Sequence, residues 1–412
     1  MLNRRDFIKG IALSAAAGSN TSFCPGARAE GVSFPAESRN RTPYQNIDWE
    51  HSFQIHTTTH GHITHQKVLE RFLNRGFEFL TISNYYPSAP YYPLEKMTIN
   101  YYRVHHDHPV MVNGKMMPGP FNWNEIIKPW IGELDEKYRK AFPFREGGKL
   151  FTDYPKNILQ APNAEHHSFT DSPTHICAPG SNYASGTFDA RNKYETKSRG
   201  GYNFGTGLPW KKAVDRMFDG LIFPDGGGIT INHPVWTRLK KDHMLDILDY
   251  DSRVLGIEVF NMSAGNLKSY PWSDKFNENY WDFALSTGRQ CFGFFVPDWG
   301  VEEGVNILLV PERSAHECLR AYRQGNWYGA IKGRGILNFK RINFDGKKLR
   351  AQTDKKARFQ IIARSGSIFE KTDDHFEFDV AADRRADYGY LRIKAFALDN
   401  SGEILFSQPF ML

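Results

Sequence analysis

The 412-residue chain has no apolar run of about 18 residues, the length a membrane-crossing helix needs. Its mean hydropathy of −0.54 points the same way. Cysteine is scarce: Cys24, Cys177, Cys291 and Cys318 stand far apart, with no C-x-x-C pair. That spacing excludes a disulfide framework and a zinc knuckle. Beyond the N-terminal segment it predicts three buried thiols, or one disulfide and a free thiol. Neither sign of charge dominates. The formal net charge is +6, and residues 1–29 hold four of the 52 basic residues and one of the 46 acids, so the remainder carries +3. Such a balance gives no electrostatic case for nucleic acid. Internal repeats and low-complexity tracts are absent too. Aromatics are abundant at 14%, which excludes a disordered chain. Together with 40% hydrophobic residues, the length suits one large domain and a smaller one.

The N-terminus reads as an address. Arg4-Arg5-Asp6-Phe7-Ile8-Lys9 precedes a short, weakly apolar stretch from Gly10 to Gly18, and Ala27-Arg28-Ala29 offers an A-x-A-like cleavage site. This is the layout of a twin-arginine export signal over 1–29. The expected location is periplasmic or secreted, with no integral membrane segment in the mature chain.

From about residue 49 to 308, helical stretches alternate with apolar runs. Phe77–Ile82 follows a helix at Gln66–Arg75, and Gly228–Asn232 follows one at Trp210–Phe218. Leu255–Phe260 follows Met244–Leu248, and Gln290–Val296 follows Glu278–Thr287. Helix then strand, repeated, predicts a parallel α/β sheet or barrel, with chemistry at the C-terminal ends of the strands. Two stretches break the pattern, 86–160 rich in Tyr and Pro and 178–209 rich in Gly, Ser and Asn. Both read as long loops over a site. After a helix at Ala315–Gln324, alternating segments with turns at Asp345-Gly346 and Ser401-Gly402 predict an antiparallel β domain over 309–412.

Eleven of the fifteen histidines precede residue 176, densest in His51, His56, His60, His62 and His65. Neutral imidazoles in such a run are candidate metal ligands. Glu165-His166-His167, with His175 ten residues after Glu165, adds the mixed oxygen and nitrogen donors of a hydrolytic metal site. His233-Pro234 and Asp298 each leave a predicted strand. Structural readings compete throughout: solvated histidines, an ion-paired Glu165, a turn histidine, a helix-capping Asp298. Glu258, an acid inside the apolar run Ile257-Glu258-Val259, needs a partner. A hydrogen bond to a metal-ligating side chain is the expected one.

Taken in order, these segments resemble the PHP (polymerase and histidinol phosphatase) family over about 50–308. Gln54-Ile55-His56-Thr57 stands where the family has H-x-H-T, and Ser83-Asn84-Tyr85 follows Gly76 and a strand where it has T-D-H. Glu165 and His175 follow, then His233-Pro234, then Asp298-Trp299-Gly300 in place of D-x-H. Leu255–Asn261 and Tyr280–Arg289 look like the carbaryl-hydrolase-like branch, which carries a C-terminal β domain.

The resemblance implies an α/β fold, a PHP-type distorted (β/α)7 barrel over 30–308 followed by a small C-terminal antiparallel β domain over 309–412. It implies His56, Glu165, His175, His233 and Asp298 as ligands of one or two divalent ions (Zn, Mn or Fe), with Glu165 bridging. Tyr85 and His167 are the proton-transfer candidates. Gln54, Asn84, Tyr85 and Gly300 depart from the family pattern, which implies no third metal site. His60, His62, His166 or His167 could complete the set. The expected activity is hydrolysis of an ester or phosphoester by metal-bound hydroxide. A lyase-like or glycan-processing enzyme using the same pocket, and a non-catalytic binding protein on a decayed site, are the alternatives. The expected partner is a small-molecule or glycan substrate, with the aromatics of 86–130 available for stacking.

Overall fold

The structure is a computed structural model. It describes residues 41–63, 65–84, 94, 151–167, 169–183, 208–264, 274–332, 335–382 and 387–412, with the backbone of short strand pairs between 111 and 202. Residues 1–29, where the sequence predicts an export signal, most of the 86–160 stretch and the greater part of 178–209 lie outside the described residues.

Five helices fall where amphipathic spacing predicts them: α1 Gln66–Asn74, α2 Trp210–Asp219, α3 Lys241–Leu248, α4 Glu278–Ser286 and α5 Ala315–Gln324. Each buries one apolar stripe, Leu69 and Phe72 on α1, and Trp281, Ala284 and Leu285 on α4. Burying one such large side chain contributes about 1.5–3 kcal/mol, more than helix propensity supplies. Helix α5 carries its own punctuation. The Ser314 side chain accepts a hydrogen bond from the Glu317 backbone N–H, and Gly325 ends the helix at φ 80°.

Apart from three two-stranded pairs between residues 111 and 202, the described strands form two sheets. The larger runs through β1 (Phe53–Thr58), β2 (Phe79–Leu80), β3 (Leu159–Gln160), β9 (Val305–Val310) and β10 (Trp327–Ile331). It continues into β11 (Phe339–Phe344), β12 (Lys348–Ala363), β13 (Gly366–Asp379), β14 (Tyr390–Ala397), β15 (Ile404–Phe406) and β16 (Phe410–Met411). The smaller sheet has the order β8-β7-β6-β5-β4, from Phe292–Val296, Val254–Asn261, Ile229–Asn232, His175–Cys177 and Glu165–His166. Pairing is parallel for β1–β2–β3 and for β6–β7–β8, as helix-strand repetition predicts. It is antiparallel at β1–β9, β9–β10, β5–β6 and β4–β5. The sheets are therefore mixed, and the ladders divide the strands between two sheets.

One core touches both sheets. It gathers Ile55, Phe79, Ala161, Leu255, Phe292, Phe294, Val296 and Leu308 with Cys318, Leu319 and Tyr322 of α5. Phe295 N–H donates to Asn306 Oδ1 across the gap between β8 and β9. The Gln408 amide makes two bonds to Gly293 on the open edge of β8, as another strand would. Residue 308, where the sequence suggests a domain boundary, falls inside β9, and α5 and β10 pack with the strands before them. A buried ion-pair cluster joins α4 to β14: Arg392 meets Asp282 and Glu278 at 2.9 Å and lies over the Trp281 ring. At the opposite end of the chain, Tyr44 Oη donates to Trp327 O and accepts from Gln408 N. Cys177, Cys291 and Cys318 are buried free thiols. No helix among the described residues is long and apolar enough to cross a membrane.

Candidate metal centre

Five strand ends meet at one point. Past β1 the chain turns on Thr58, whose hydroxyl accepts from His60 N and donates to His60 O, both at 3.0 Å. The residues after β2 hold the next stretch. Ser83 Oγ accepts from Gly61 N, and the Asn84 side chain bonds both the N–H and the carbonyl of Ile63. On the other side Asp298 N donates to His60 O, and His62 N donates to Asp298 O. His60 and His62 are thus clamped between the exits of β2 and β8, with both side chains buried. Glu165 stands on β4, His175 opens β5, and His233 and Asp298 follow β6 and β8. The last two take positive φ, 26° for His233 and 57° for Asp298. Non-glycine residues pay for that conformation, and such strain gathers at functional sites.

Four atoms define the first group. His60 Nε2 lies 3.2 Å from His62 Nε2 and from Glu165 Oε2, and 3.3 Å from Asp298 Oδ1. His62 Nε2 lies 3.3 Å from both carboxylate oxygens. The other oxygen of Glu165 faces a second group: Oε1 is 2.8 Å from His175 Nδ1 and 3.3 Å from His233 Nε2. Glu165 therefore divides its two oxygens between two sets of imidazoles. Glu165 Oε2 and Asp298 Oδ1 are buried without a hydrogen bond, a costly arrangement unless something else meets them.

The electrostatics match. Burial opposes ionisation of Glu165, yet His60, His175 and His233 hold its carboxyl well below the usual range. Burial likewise opposes the charge on Asp298, and His60 and His62 outweigh it. Burial would lower His60, but Asp298, Glu258 and Glu165 hold it well above its usual value. The carboxylates favour positive charge at this point. Two indoles flank it: Trp299 stacks on His62 at 4.3 Å, and Trp236 sets its edge to His175 and His233 at 5.3 and 5.0 Å.

The donor set fits a divalent transition metal. Four ligands about 2.0 Å from a tetrahedral zinc-like ion lie about 3.3 Å from one another. His60, His62 and Asp298 have their donor atoms 3.2–3.3 Å apart, close enough to share an ion, and Glu165 Oε2 lies at the same distance from both of these imidazole nitrogens. Imidazole and carboxylate are the ligands such ions take in hydrolytic sites. The second group, Glu165, His175 and His233, has three donors close enough to share an ion.

Of the residues singled out in the sequence, Glu165, His175, His233 and Asp298 come together. His56 stands apart. It lies within β1 on the face of Gln54, whose side chain reaches Tyr328 Oη and Phe339 O among the later strands. The charges acting on His56 are those of Glu78 and Arg75. β1 runs on through Thr58, and His60-Gly61-His62 carries an H-x-H spacing just beyond it. That H-x-H was the signal in a run too rich in histidine to fix its own register. His167 has its ring 5.2 Å from that of His175 and is pushed down to about 3 by burial. His166 turns the other way and stacks on Tyr183. Tyr85 lies outside the described residues. At Gly300 a Cβ would sit 2.4 Å from the Met262 sulfur, so Met262 fills the space where the family pattern has a histidine.

No family model matches the chain, and no curated protein matches it. Among solved structures it is similar to a two-domain protein from Bacteroides vulgatus containing a predicted PHP-like metal-dependent phosphoesterase. The identity is 11%, the TM-score 0.41, and the match covers 94% of this chain and 99% of that one.

Proposed function

We propose that this chain is an exported, metal-dependent hydrolase of the PHP type, acting on an ester or phosphoester. The observation that carries the reading is the group His60, His62 and Asp298, spaced to share one ion, with Glu165 Oε2 beside both imidazoles and two carboxylate oxygens left without a hydrogen bond. Glu165 extends it to a second ion with His175 and His233. A divalent ion held there supplies a Lewis acid for a carbonyl or phosphoryl oxygen and a lowered pKa for water. The protein's own residues do the rest. Trp299 and Trp236 hold the imidazole rings in place and keep bulk water from them. His167 stands beside His175, and burial keeps its imidazole neutral. The two sheets around a shared core are read as the PHP-type barrel, and export rests on the twin-arginine pattern of residues 1–29.

The test is elemental analysis of the purified chain beside Asp298→Ala, with turnover of p-nitrophenyl acetate and p-nitrophenyl phosphate before and after chelation. One or two transition-metal ions per chain, lost in the variant, are expected. Turnover that stops with a chelator and returns with Zn, Mn or Fe supports the hydrolase. A chain that takes up no ion on reconstitution sinks it.

A further inference from the structure

We propose that Glu258 is a positioning residue that sets one ligand in each of the two metal groups at once. This rests on the metal reading above. Every residue of β7 is buried, and Glu258 is completely so. A carboxylate there is tolerated when its oxygens are hydrogen-bonded. Both are. Oε1 is 2.6 Å from His60 Nδ1, while Oε2 accepts from His233 N at 2.8 Å and from Asn261 Nδ2 at 2.9 Å.

Each contact has a consequence. With a Glu258 oxygen as its acceptor, His60 Nδ1 carries a proton, so in the neutral imidazole that ligates an ion the lone pair is left on Nε2, the nitrogen that faces Glu165 and Asp298. The other oxygen takes over where a ladder stops. The β6–β7 rungs end at Ile231 and Ile257, and, two residues on, the His233 N–H donates to this carboxylate. His233 has the most constrained backbone in the site, at φ 26°. Holding its N–H fixes the turn from which its ring reaches Glu165. One carboxylate therefore ties the histidine from the end of β1 to the histidine from the end of β6.

Glu258→Gln tests this, because an amide has one oxygen and one NH2. A donor must then face either His60 Nδ1–H or His233 N–H. Removing an outer partner of this kind typically weakens metal binding about 10- to 100-fold. The expected result with Co(II) is a loss of that size in competition titrations and a changed visible spectrum. Circular dichroism of the metal-free variant should match the parent. Parent-like Co(II) affinity and spectrum in Glu258→Gln overturn the positioning role and leave the metal reading standing. A parent chain that binds no Co(II) overturns both. Should Glu258→Gln fail to fold, nitrogen-15 spectra of histidine in the Zn(II)-loaded parent decide. His60 protonated on Nδ1 supports the proposal, and His60 protonated on Nε2 overturns it.

Discussion

Removing the Asp298 carboxylate takes one of four donors from the first group and leaves His60 and His62 without their second acid. Asp298→Ala should therefore weaken zinc binding by more than the about 10- to 100-fold that an outer partner costs, read by competition with a chromophoric chelator. His56 predicts a different behaviour. Burial holds its imidazole below the usual value, with Arg75 adding to burial and Glu78 opposing it. The unfolded chain takes up that proton at about pH 6.5 while the folded chain resists it. Stability from this group is full above that pH and falls as pH drops below it, by at most about 1.4 kcal/mol per unit. His56→Asn should flatten the pH dependence of urea unfolding between pH 6.5 and 5. Residue identity alone made Glu165, His175, His233 and Asp298 visible, since each follows an apolar run and each is chemically capable. The pair His60 and His62 was harder to place, because five histidines within fifteen residues offer several registers and only the end of β1 chooses among them.

Among the elements, β6 shows how a turn places a ligand. Gly227 precedes it at φ 67°, and a Cβ there would lie 2.2 Å from Pro179 O, a backbone atom that cannot swing away. Gly227→Ala should cost about 3 kcal/mol in chemical unfolding and loosen His233 at the far end of the strand. Helix α4 and strand β14 depend on Arg392, itself almost completely buried, which pairs with the part-exposed Asp282 and Glu278. Arg392→Leu takes the cation from Asp282, while Lys394 still meets Glu278, and should destabilise by about 3 kcal/mol. That is the low end for a broken buried pair, since both acids keep contact with water. The helices were legible from their apolar stripes. The strands that pair antiparallel were less so. β12, KLRAQTDKKARFQIIA, is sixteen residues long with a polar middle, and its bulge between Gln352 and Ala357 shifts its register. β2 to β5 are two or three residues each, too short for alternation to show.

For the whole molecule, the donors come from both sheets, so an ion binds the folded chain and not its parts. Saturating metal at about 100 times its dissociation constant should add about 2.7 kcal/mol. A chelator should lower the thermal midpoint of the parent and leave that of Asp298→Ala nearly unmoved, as differential scanning calorimetry would show. The contact of Tyr44 with Trp327 and Gln408 has a consequence of another kind. Those partners lie 283 and 364 positions away along the chain. Tyr44 cannot finish packing until residues near 408 have been synthesised. Ordering so long a loop comes before the contacts that reward it, which slows folding. The lag should be long enough for a newly made chain to meet chaperones, with the β8 edge exposed until Gln408 arrives to cover it.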